Sequence, residues 1–194
     1  MMEMITLPYK YNDFSFISEE TMKNHYEILY KGYVNNYNRA FLDLRKAREE
    51  NDYINIKALE KNLAFQGAGA VLHQLFFENI SPIKKPIDQI LTNKINEDFG
   101  SFEAFKNQFI NNITNIEGSG WGILGYSKML DKLIILQVEK HQDQTIWDFV
   151  PLLVIDIWEH AYYLDYKTKK KEYINDIFNY INWAIVKERY KNEG

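Results

Sequence analysis

The succession of periodic patterns along this chain predicts an α+β fold: an N-terminal antiparallel helical hairpin, then a C-terminal domain with a three-stranded antiparallel sheet flanked by helices. Three observations carry that prediction. Apolar and aromatic residues recur three or four apart from about residue 18 to 79, with a single polar break. Three short apolar runs follow Gly118-Ser119-Gly120. Helical spacing then returns beyond residue 162.

Ser18 precedes Glu19-Glu20-Thr21 and reads as a helix cap. From there Tyr26, Leu29, Tyr30, Tyr33, Val34, Tyr37, Phe41 and Leu44 form one helical face. Glu49-Glu50-Asn51-Asp52 marks a turn, and a second helix is expected over 54–79, carrying Leu59, Leu63, Phe65, Val71, Leu72, Leu75 and Phe76. Two long helices joined by a short turn form a hairpin. The midpoint between His25 and His73 is position 49, inside that turn. With a rise of about 1.5 Å per residue in both arms, the two imidazoles are expected at similar height. Pro82 and Pro86 make 80–86 a linker. Helices are expected at 87–98 and 101–115, and strands at 121–126, 133–139 and 150–157. A last helical region spans 162–191, interrupted around Thr168. The division is therefore 1–82 for the hairpin domain and 83–194 for the second, with the candidate site between them.

The 194 residues carry a net charge of −4, and their Lys and Arg are interspersed with Asp and Glu, which argues against a nucleic-acid surface. There is no cysteine, so disulfides, thiolate metal sites and iron–sulfur clusters are excluded. The first eight residues lack a basic start followed by an apolar run, and the stretch 151–158 is far short of the ~20 residues that cross a bilayer. A cytoplasmic protein without membrane association is expected.

Histidine is the informative residue, with four in the chain at 25, 73, 141 and 160. Leu152, Leu153, Val154 and Ile155 form a strand that is apolar on both faces and ends at Asp156, with His160 four residues on. A carboxylate buried there needs compensation, which either a metal ion or a simple Asp–His hydrogen bond could supply. His25 shares a helix face with Leu29 and Tyr33. His73 follows Ala68, Gly69 and Ala70, small residues that leave room beside the helix. Gly67-Ala68-Gly69 lies inside a helical pattern with no strand before it, so it is not a nucleotide-binding turn.

Leu7-Pro8-Tyr9, His25 with Tyr33, His73, Gly118-Ser119-Gly120-Trp121 and Asp156-Ile157-Trp158-Glu159-His160-Ala161-Tyr162-Tyr163 occur in this order. In these motifs and their spacing, from about residue 5 to 185, the chain resembles the iron/manganese superoxide dismutases. The resemblance implies an oxidoreductase that disproportionates superoxide, with one iron or manganese ion per subunit held by His25, His73, Asp156 and His160. It implies that Tyr33 stands at the substrate channel, that Trp121 and Trp158 wall the site, and that Glu159 and Tyr163 lie at the interface of a homodimer or dimer of dimers. Glu159 would hydrogen-bond the partner's copy of the last ligand. A donor to the bound solvent would come from His141, which needs no gap in the spacing, or from its neighbour Gln142. Lys31 and Lys170 would steer the anionic substrate, or would simply be solvated surface lysines. Two positions depart from the family pattern: Leu29 stands where a histidine is usual, and Phe77 where a tryptophan is common. Both metals accept the same four ligands, with a slight lean to iron.

Overall fold

The computed structural model describes residues 1–193. The N-terminal strap is tied to the long helical arm that follows it. Asn38 clasps the Met2 backbone in both directions at 2.8 Å, and the Tyr26 hydroxyl donates to the Ile5 carbonyl. Ser18 caps helix α1 (Glu19–Lys23), its Oγ accepting from Thr21 N at 3.2 Å, with Glu19 and Glu20 in the favourable first turn. The chain then winds as a π-helix over Asn24–Tyr30 before resuming as α2 (Lys31–Glu50). Such winding is rare and tends to mark functional positions, and this stretch contains His25.

Asn51 ends α2 in the left-handed region at φ 51°, which its short amide side chain tolerates. Helix α3 (Ile56–Asn79) returns antiparallel to α2. The turn thus falls at 51–55, later than the midpoint between the two histidines. Their imidazoles meet without the arms being equal, so equal arm length is not the reason they meet.

After the linker come α4 (Gln89–Phe99), capped by Asp88, and α5 (Phe102–Thr114), capped by Ser101. Strands β1 (Gly120–Ser127), β2 (Lys132–Glu139) and β3 (Phe149–Asp156) form an antiparallel sheet of order β2-β1-β3. All of β1 is buried, so the sheet is covered on both faces along its central strand. The register sets Trp121 opposite Asp156. β3 is an edge strand, and its free backbone groups are satisfied by side chains from elsewhere. Asn79 donates to Leu152 O at 3.2 Å and accepts from Val154 N at 2.9 Å, and Arg189 donates to Leu152 O at 2.8 Å. Asn79, the last residue of α3, in this way fastens the hairpin to the sheet.

The C-terminal helical region is more broken than its spacing suggests. It contains α6 (Tyr163–Tyr166), α7 (Lys170–Phe178) and α8 (Trp183–Glu193). The break at 167–169 was expected, while the one at 179–182 was not. There the backbone pairs with the linker instead of continuing a helix: Ser81 N donates to Tyr180 O at 2.8 Å and Asn182 N to Asn79 O at 2.7 Å. Tertiary pairing overrides local propensity at this point, with no Gly or Pro to announce it. No helix among the described residues is long and apolar enough to cross a membrane.

Candidate metal centre

Four side chains from separate segments converge where the hairpin meets the end of the sheet. His25 comes from the π-helical stretch, His73 from α3, Asp156 from the last position of β3, and His160 from the 3₁₀ turn Glu159–Ala161. One donor atom of each lies within 4.8 Å of all the others. Asp156 Oδ2 is 3.1 Å from both His25 Nε2 and His160 Nε2, and 3.8 Å from His73 Nε2.

Local bonds aim these atoms. Asp156 Oδ1 accepts from Trp158 N at 2.8 Å, which turns Oδ2 toward the imidazoles. His73 Nδ1 lies 2.6 Å from the Gly69 carbonyl, which can only accept. The proton therefore sits on Nδ1, and the Nε2 lone pair of neutral His73 faces the centre. The His25 ring packs against Phe76 and Phe77, with centroids 4.9 and 5.0 Å away.

Two observations test whether this donor set fits a metal. The Nε2 atoms of His25 and His73 are buried and have no hydrogen-bond partner; His25 Nε2 is near the carboxylate but misaligned for a bond. Leaving a buried polar atom unpaired costs about 1–3 kcal/mol, and two such atoms here flank one carboxylate. The charges point the same way. Burial pushes the pKa of His25 below its ordinary 6.5, and burial followed by the neighbouring His25 pushes His73 further down. Burial alone would raise the Asp156 carboxyl, but His160 and His25 beside it outweigh that and hold it well below the usual carboxylate range. Among the described residues no lysine or arginine forms an ion pair with Asp156; its partners are the three imidazoles. With His25 and His73 disfavoured as cations by burial, the buried carboxylate lacks a permanent positive partner, and a His₃Asp donor set suits iron, manganese or zinc.

Beside the ligands runs a row of three side chains. Trp121 Nε1 donates to His141 Nδ1 at 3.0 Å, and His141 Nε2 lies 2.8 Å from the Tyr33 hydroxyl. An indole N–H can only donate, so neutral His141 carries its proton on Nε2 and donates it to Tyr33. Burial pushes His141 down to about 4 and Tyr33 up to about 12, so near neutral pH the imidazole is uncharged and the phenol protonated. Gln142 stands apart from this row, with its side-chain oxygen accepting from His141 N at 3.3 Å. The room left by Gly69 is not open space. A Cβ there would stand 2.5 Å from the Tyr33 ring, so the glycine admits Tyr33, and His141 reaches the centre's edge through that phenol.

Trp158 lies flat on His141 at 4.6 Å and flanks His160, while Trp121 meets His73 edge-on at 5.1 Å. Two wall residues had not been singled out. Tyr30 stacks parallel to His73, and Phe65 packs edge-on to His141 at 4.7 Å. Their spacing could have found them: Tyr30 is three residues before Tyr33, and Phe65 is eight before His73 on the same helix face. Glu159 is exposed and Tyr163 is 46% exposed, both outside the cluster. Leu29 is half-buried, Lys31 is exposed, and Lys170 donates to the Ile116 carbonyl at 2.8 Å.

Comparison with known proteins agrees with this geometry. Residues 1–81 match the model of the iron/manganese superoxide dismutase alpha-hairpin domain, and residues 87–189 that of the same family's C-terminal domain. An iron superoxide dismutase of Methanothermobacter marburgensis is 40% identical over 192 residues, 97% of this chain and 95% of that protein. One from Pyrobaculum aerophilum is 41% identical over 188 residues, covering 94% and 89%. A manganese/iron superoxide dismutase of Aeropyrum pernix is 37% identical over 192 residues, covering 96% and 89%.

Proposed function

The chain belongs to the iron/manganese superoxide dismutase family, and from that we propose how its residues divide the work: His25, His73, Asp156 and His160 hold one iron ion per subunit, and the Tyr33–His141–Trp121 row handles protons beside it. As a superoxide dismutase it turns two superoxide anions and two protons into one dioxygen and one hydrogen peroxide. An iron or manganese ion held by these four side chains would supply the one-electron redox chemistry that the reaction needs.

The protein's own share is charge and protons. Asp156 and the two buried neutral imidazoles offer lone pairs to a cation without a competing proton. In the row, Trp121 fixes the His141 tautomer and His141 donates to Tyr33, which leaves the Tyr33 O–H as the row's free donor. Each turnover consumes protons, and a phenol held protonated up to about pH 12 is an oriented source of them near neutral pH. Trp121, Trp158, Tyr30 and Phe65 exclude bulk water, which strengthens every electrostatic interaction inside.

The observation that carries the reading is the pair of unpartnered buried Nε2 atoms facing a carboxylate that, among the described residues, no lysine or arginine pairs. The lean to iron rests on relatives such as those of Methanothermobacter and Pyrobaculum, named as iron enzymes. In the same proposal residues 1–82 and 83–194 form two domains with the centre between them, and the enzyme is a cytoplasmic homodimer. Exposed Glu159 and Tyr163 would face the partner subunit, and Glu159 would orient its last histidine ligand. Reconstituting the metal-free protein separately with iron(II) and manganese(II), then measuring metal content and superoxide consumption, tests the metal. The expected result is one ion per subunit with higher turnover for iron. Tight zinc binding with no turnover on either redox metal would overturn it.

A further inference from the structure

A cavity of about 740 Å³ lies where the linker crosses the break between α7 and α8, and none of its lining residues belongs to the metal centre. Its size falls in the range of small-molecule sites. Lys84 and Lys85 line it from the linker and Lys106 from α5, together with the aromatic residues Phe102, Phe178 and Trp183. The neutral polar groups of the wall are already engaged. Ser15 Oγ bonds the Tyr180 hydroxyl at 2.6 Å, Ser81 Oγ donates to Ile83 O at 2.8 Å, and Asn179 Nδ2 donates to Asn175 O at 3.1 Å. The one carboxylate in the wall, Asp176, accepts from Tyr166 at 2.8 Å. Among the described residues none of the three lysines forms an ion pair; Lys106 instead lies over the Phe178 ring at 5.2 Å.

Three lysines without ion-pair partners among the described residues thus line one cavity in a chain whose net charge is −4. The segment that presents two of them is stiff: Pro82 and Pro86 bracket Lys84 and Lys85, and Lys85 and Asn182 pair through their backbones. A site held in place beforehand binds with less loss of freedom. The aromatic side favours an apolar, ring-bearing body, and three ammonium groups match a dianion better than a single carboxylate.

We propose that this cavity binds a small aromatic phosphate, with the phosphate held by Lys84, Lys85 and Lys106 and the ring set against Phe102 and Trp183. Calorimetric titration of the metal-loaded enzyme with phenyl phosphate, inorganic phosphate and phenol tests it. Phenyl phosphate is expected to bind saturably and more weakly as salt rises, inorganic phosphate less tightly, and phenol least. The double variant Lys84→Gln/Lys85→Gln should weaken phenyl phosphate binding by roughly tenfold or more, and Lys106→Gln should weaken it too. Both exposed lysines lie away from the metal centre, so dismutase turnover in the double variant should match the unaltered enzyme. Three results would overturn the proposal. One is no saturable binding at millimolar phenyl phosphate. Another is inorganic phosphate binding as tightly as phenyl phosphate. The third is affinity unchanged in the lysine variants, which would place the anion at the metal centre instead.

Discussion

Asp98 and Asp156 are both carboxylates whose side chains are buried, and the chain treats them in opposite ways. The Asp98 side chain is 1% exposed, and everything it needs is supplied by neighbours: Lys132 Nζ at 2.9 Å, Leu133 N at 2.8 Å and Lys94 Nζ at 3.5 Å. Burial by itself would lower the Lys94 ammonium, but its bond to Glu97 and the Asp98 charge outweigh that and raise its pKa. Asp156 is fully buried, and among the described residues its carboxylate meets only imidazoles and the Trp158 N–H. The first cluster is complete as a protein structure, while the second is short of a positive charge. A buried anion with no internal cation is a stronger sign of a metal centre than the presence of histidines.

This contrast can be broken most directly by substituting each carboxylate with its amide. In Asp156→Asn, metal content and superoxide turnover are expected to fall more than about 100-fold, a larger loss than outer hydrogen-bond partners of a metal usually cause. Asp98→Asn should do the reverse. Lys94 keeps Glu97 and Asp131 as partners, so losing the Asp98 charge should cost about 1.5 kcal/mol of stability, read by urea unfolding, with metal content unchanged. If Asp98→Asn lost the metal, or Asp156→Asn kept it, the two sites would not differ in the way described.

Which parts of this were legible beforehand follows from the range of the forces involved. The hairpin, the three strands and the cap at Ser18 rest on local periodicity and on a side chain bonding its own backbone, so sequence spacing reveals them. The Asp156–His160 pair is also local, spanning one strand end and one turn. The break at 179–182 arises from pairing with residues about a hundred positions earlier, and nothing nearby signals it. The π winding around His25 was hidden in the same way, because a stretch of seven residues hardly alters a helical pattern. Within the centre, ligand types could be read from the chain, but the order Trp121 to His141 to Tyr33 could not. It depends on which nitrogen of His141 faces the indole, and the fold decides that.

His141 sharpens the comparison in a third way, as a buried group that borders the centre and stays neutral. Its folded pKa of about 4 lies below the ordinary 6.5, chiefly from burial. Below pH 6.5 the unfolded chain takes up a proton that the folded chain refuses, so the unfolded state binds more protons and is favoured as pH falls. The stability associated with neutral His141 is thus fully present above about pH 6.5 and is lost progressively toward pH 4. Between about pH 6.5 and pH 5 that loss amounts to about 2 kcal/mol. His141→Gln replaces the imidazole with an amide that does not titrate, while any release of metal at low pH is common to both proteins. Urea unfolding of both across this range should therefore give a shallower pH dependence for the variant by about that amount. Parallel curves would mean that the imidazole is reached by protons without unfolding, and that the Trp121–His141–Tyr33 row is open to water rather than sealed beside the ligands.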